Sequence, residues 1–127
     1  MKPSAPNTGV ALYVANLALL ATHQVDAAHQ REWELFHVPG GIAFFLAFNF
    51  AALVLLLLGL VEVSRGSART RAFVFALSGT GSFTVCIHAL FFALGHPEFR
   101  STPSLLVLGG VLIVSFAQLS ISRRNPP

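Results

Sequence analysis

Charge is scarce in this chain. Only 10% of its 127 residues are Asp, Glu, Lys or Arg, against about 25% in an ordinary soluble domain, so the polar surface that a water-soluble fold must present is missing. Cysteine is nearly absent as well. The single Cys86 lies inside an apolar run, which excludes an internal disulfide and any paired-cysteine metal motif. There is no His-x-x-x-His spacing, and no serine stands at a recognisable nucleophile turn. The net charge is +3, but the basic residues are scattered between oily runs and form no continuous patch. Nucleic acid is therefore excluded as a partner.

What is present is hydrophobic: 54% of the residues are apolar or aromatic. A helix needs roughly 20 apolar residues to cross the hydrocarbon of a bilayer, and four segments meet that length, at about 9–28, 41–63, 71–95 and 103–122. The runs are continuous rather than alternating, which favours helices over strands. The expected fold is all-α: one membrane domain over 1–127, a four-helix transmembrane bundle running up-down-up-down, with the lipid bilayer as its first partner. Pro39-Gly40-Gly41 is expected to end the first helix, and Ser64–Thr70 to form a polar loop. Thr102 followed by Pro103 reads as an N-cap with proline at the first helical position.

Four spans put both termini and the middle loop on one side. That side carries Lys2, Arg65, Arg69, Arg71, Arg123 and Arg124, and the other only Arg31 and Arg100. The bias predicts cytoplasmic termini and a multi-pass protein of the cell inner (plasma) membrane. Glu62 falls on the basic side, three residues before Arg65, and is expected to pair with it. A cleavable leader is the rival reading of the first apolar run. Its minimal basic region, two prolines before the run, and His and Asp in the supposed cleavage region argue against it; intact mass decides.

The histidines and most carboxylates then fall on the opposite side. At 1.5 Å per residue, His23, Asn49 and His88 lie at comparable depth inside three different spans. Lipid exposure of such groups is costly, so they should face the bundle interior. The expected core cluster is His23, Asn49 and His88, capped by Asp26, which follows His23 by three residues on the same helix face and could orient its ring. His29, Glu32, Trp33 and His96 are secondary candidates. The plainer reading of His29, Glu32, Glu34, His37 and His96 is a solvated helix end and loop, while Trp33, Phe36 and Phe99 are expected at headgroup level. Ser78, Ser82, Gly79, Gly81 and Gly109-Gly110 mark close helix contacts.

His23-x-x-Asp26-Ala27, then Glu32-Trp33, then His88 and Gly109-Gly110 resembles an uncharacterised family of small bacterial four-span integral membrane proteins, a domain of unknown function numbered 6713. The resemblance covers most of the chain, and its specific part is His23, Asp26, Glu32 and Trp33. It implies that this motif belongs to the mature protein. It carries no activity. Two departures are visible: Gln24 stands where an acid is more usual, and the amino-terminal tail is longer.

Three functions are open at this point. The first is a non-enzymatic protein whose polar cluster is structural or binds a membrane partner, including another copy of itself. The second is a metal or haem site using His23, Asp26 and His88, although no particular cofactor is predicted. The third is an enzyme or proton-linked carrier for a lipid-soluble substrate, with His23 or His88 as acid–base group. An apolar cavity opening sideways beside the histidines would favour the third.

Overall fold

The computed structural model describes residues 7–98 and 100–124, with the backbone alone at Arg124. Lys2 and Phe99, named above, lie outside the described residues. The elements are α1 (Thr8–His29), α2 (Glu32–Leu35), α3 (Gly41–Ser64), α4 (Thr70–Ala93) and α5 (Thr102–Arg124). All but the four-residue α2 are long and apolar enough to cross a membrane. Each long helix packs against its chain neighbours, and α5 closes back on α1. The result is an up-down-up-down bundle.

Local chemistry sets the helix ends. Asn7 caps α1, its side-chain oxygen accepting from the Gly9 amide at 2.9 Å. At the start of α5 the cap is Ser101 rather than Thr102. The Ser101 hydroxyl accepts from the Ser104 amide at 3.3 Å, so the helix begins one residue earlier than the Thr-Pro pair suggests. Glu62 takes a hydrogen bond from Ser67 Oγ at 2.7 Å. The tight Ser64–Thr70 turn brings that serine to it, and among the described residues it forms no ion pair with Arg65.

The first helix does not run on to Pro39. It stops at His29, and Arg31 adopts a left-handed backbone with φ 55°. Residues other than glycine enter that region at a cost of roughly 1–2 kcal/mol. The turn folds α2 back over the bundle before His37 (φ 52°) and Gly40 (φ 83°) redirect the chain into α3. The polar segment is therefore a folded cap, not a projecting helix.

Two kinds of contact hold the end of the bundle near the termini. Tyr13 is fully buried, and its hydroxyl donates to the Leu56 carbonyl at 2.9 Å. A Cβ at Gly59 would fall 2.3 Å from that hydroxyl and 2.6 Å from the Phe73 ring, so only glycine lets α3 approach here. The second contact is a buried polar network that the sequence reading did not anticipate. The Asn16 amide nitrogen on α1 donates to Ser115 Oγ (3.1 Å) and Gln118 Oε1 (2.9 Å) on α5, and Ser78 Oγ on α4 donates to the same Gln118 oxygen at 3.0 Å. Gly81 makes room for it, because a Cβ there would meet Ser115 Oγ at 2.6 Å. Gly110 backs onto Leu19, whereas Gly79 and Gly109 face open space and mark no contact. Interhelical hydrogen bonds in membranes average about 0.6 kcal/mol. Asn16→Ala, which loses several, is expected to cost about 1 kcal/mol, read as a lowered thermal midpoint in detergent.

Packing is uneven along α3. Its buried residues, Leu56, Gly59 and Val63, all belong to the half nearest the termini. Phe44, Leu46, Phe48 and Phe50 in the other half are exposed. That half of α3 stands off from α1 and α4, and a cavity opens behind it.

Candidate functional site

The cavity holds about 280 Å³ at the end of the bundle away from the termini. Its walls are chiefly aromatic: Trp33, Phe36, Phe45 and Phe48 are among the lining residues. His23 and His88 form its polar end. Each is 1% exposed; α1 and α4 bring their Nε2 atoms to 3.1 Å, with ring centroids 4.8 Å apart and planes at 74°. Phe36, itself edge-on to Phe91, lies tilted beside the His88 ring at 6.0 Å.

A third group converges on the pair. Glu32, the first residue of α2, offers a carboxylate oxygen such that this atom and one nitrogen of each ring all lie within 4.8 Å of one another. The reversal at Arg31 puts it there. Burial pushes the Glu32 carboxyl up to about 7, with the nearby charge of Asp26 adding to the effect. One oxygen of Glu32 and one of Asp26 are buried without a hydrogen-bond partner among the described residues. A buried carboxylate in that condition is costly unless it takes a proton or a cation.

The sign of the resulting pH dependence is definite. Without a bound cation, the folded protein holds the Glu32 proton more tightly than the unfolded chain does. Stability conferred by protonation is complete below the ordinary value of 4.5 and is lost as pH rises through about 7. For chelator-treated protein, thermal unfolding between pH 5 and 8 should show that fall in the difference between wild type and Glu32→Gln, where contributions common to both proteins cancel.

The other candidates separate from this group. Asn49 lines the same cavity, but its amide nitrogen donates to the Phe45 carbonyl of its own helix at 2.8 Å, so it joins the wall rather than the His pair. Asp26 is half-buried and bears on the rings through space. His29 and His37 are exposed. His96 sits 3.6 Å from Glu98 and beside the Phe91 ring, in the other distal loop. Trp33 packs on Phe45 at 5.3 Å and lines the cavity. Glu34 pairs with Arg31 at the surface. Glu32 was the residue most underrated by the sequence, since its place depends on a left-handed turn at an arginine that no residue type announces.

Four apolar helices and a polar site sunk among them define a helical integral membrane protein. The chain belongs to a family of unknown function (DUF6713), whose profile matches residues 10–125 and so takes in all three converging side chains. No curated protein and no solved structure matches it.

Proposed function

We propose that the protein is a metal-binding membrane protein, with His23, His88 and Glu32 holding one divalent transition-metal ion of the zinc class. The observation that carries this reading is that one nitrogen of each imidazole and a carboxylate oxygen of Glu32 lie within 4.8 Å of one another, on a carboxyl with one oxygen buried and without a hydrogen-bond partner among the described residues. Metal–nitrogen bonds of about 2.0–2.1 Å put neighbouring ligands of a tetrahedral ion roughly 3.3 Å apart. The 3.1 Å between the ring nitrogens is close to that. Two histidines and one glutamate leave a fourth position, as open zinc sites do, and the adjoining space is the aromatic cavity. Haem fits less well. Two axial nitrogens on opposite sides of an iron stand about 4 Å apart, and the His pair is closer than that.

A hydrogen bond between the two rings would join α1 and α4 without any ion, and that structural reading explains the His pair. It gives the Glu32 carboxyl beside the pair no role. Elemental analysis after dialysis against a stoichiometric supply of zinc separates the two. The metal reading expects about one ion per chain, retained on gel filtration and lost on Glu32→Ala without loss of the folded monodisperse peak. A folded protein that retains none supports the structural reading instead.

The site's address follows from charge. Arg65, Arg69, Arg71 and Arg123 lie at the end opposite the cavity, which supports cytoplasmic termini, a metal near the extracytoplasmic face and insertion in the cell inner membrane. A cysteine introduced at Ser67 should react with a membrane-impermeant thiol reagent only after the cells are opened. Labelling in intact cells reverses the orientation.

A further inference from the structure

The aromatic cavity does not end beneath the His pair. A second space of about 170 Å³ continues toward the middle of the bundle and shares Gln24, Phe48, Asn49 and Thr80 with the first. Together they make a slot along α3 from Phe44 to Leu56, about 18 Å at the rise of a helix. One leaflet of hydrocarbon is about 15 Å deep. The slot is thus the length of a single lipid chain.

Its opening faces sideways. Phe48 and Phe83 line the cavity yet are 61% and 64% exposed on the bundle's outer face. Leu53 and Leu55 stand in the same relation to the second space. In a bilayer those residues meet hydrocarbon, so the slot is open to the membrane along its side. Polarity is graded along the slot. His23, His88 and Glu32 lie at one end, and Leu17, Leu20 and Leu56 at the other. The head end is buried and walled by aromatic rings, so a carboxylate or a phosphate would have to shed its water there, at a cost that an uncharged oxygen largely avoids.

The geometry points to a binding site for a long-chain aliphatic molecule with an uncharged oxygen head, an alcohol or aldehyde, taken laterally from one leaflet. Its head lies at the His23–His88 pair and its chain along α3 as far as Leu56. This inference goes beyond the metal reading and stands on the slot's own walls.

The test uses the full chain in nanodiscs, with photoreactive hexadecanol and photoreactive hexadecanoic acid, each carrying a diazirine in its chain, at neutral pH and sub-saturating concentration. The alcohol should cross-link to peptides around Phe48, Asn49 and Thr80, and the acid much less. Thr80 is exposed and stands at the junction of the two spaces, so Thr80→Phe narrows the slot without disturbing the core. If its ring excludes two methylenes of the ligand, labelling should fall about tenfold. Ala52→Phe, on the facing wall, should do the same. Equal labelling by the acid overturns the uncharged head, and labelling spread over the lipid-facing surface, indifferent to both variants, overturns the slot. Metal content of the same samples is an independent readout. A labelled slot in metal-free protein sinks only the metal reading, and an unlabelled slot in metal-loaded protein sinks only this one.

Discussion

His88→Ala is expected to strip the purified protein of zinc, weakening affinity by at least the roughly 100-fold that loss of a supporting residue around a metal ligand costs. The reason is geometric. His88 is the only one of the three converging groups on α4, so its removal leaves two ligands on neighbouring segments of chain and opens the site on one side. Alanine also leaves a hole beside Phe36 and removes a contact between α1 and α4, so the variant could fail by misfolding. His88→Gln guards against that, because it keeps volume and hydrogen-bonding capacity but offers no imidazole. The expected outcome is a folded, monodisperse His88→Gln protein with less than stoichiometric metal by elemental analysis. Full retention by this variant would take His88 out of the coordination sphere.

Gly59→Leu is expected to be the most damaging single change in the apolar part of the bundle. The first added carbon already lies within 2.3 Å of the Tyr13 hydroxyl and 2.6 Å of Phe73, and Tyr13 is fully enclosed. Neither ring can yield without breaking the Tyr13 bond to the Leu56 carbonyl or pushing α3 outward. Overpacking of this kind costs about 1–3 kcal/mol, occasionally more. The loss should be large here because Leu56, Gly59 and Val63 are all that α3 buries. A drop in detergent thermal stability and in folded yield checks it. Gly79→Leu, which faces open space on α4, is the matched control and should leave stability nearly unchanged. The contrast matters for the site as well, since α3 hinged outward would widen the cavity.

The gross fold was legible because a membrane imposes one rule on every span, and continuous apolar runs of about 20 residues have few other meanings. Depth was legible for the same reason: the fixed rise of a helix puts His23 and His88 at one level, and their nitrogens are 3.1 Å apart. Rotation about the helix axis was less so. Asn49 shares that level, yet its side chain turns back to its own helix, an option always open to asparagine four residues after a free carbonyl. Glu32 could not be placed at all by counting along a helix, because Arg31 breaks the count with a left-handed residue. The Asn16–Ser78–Ser115–Gln118 network is not legible in the sequence because single Asn and Gln residues in long apolar helices carry no spacing signal. Only the pairing of α1, α4 and α5 brings them together. Gly59 likewise looked like any glycine in a leucine run until Tyr13 was seen behind it.

The proposed metal site stands or falls on whether two imidazoles and the Glu32 carboxylate share one ion. X-ray absorption at the zinc edge of the metal-loaded, detergent-purified protein tests it most directly. The predicted result is a first shell of nitrogen and oxygen at about 2.0–2.1 Å, with outer-shell scattering from two imidazole rings. That scattering should drop to one ring in His23→Gln. A shell of oxygens alone, with no imidazole scattering and no response to His23→Gln, would contradict it.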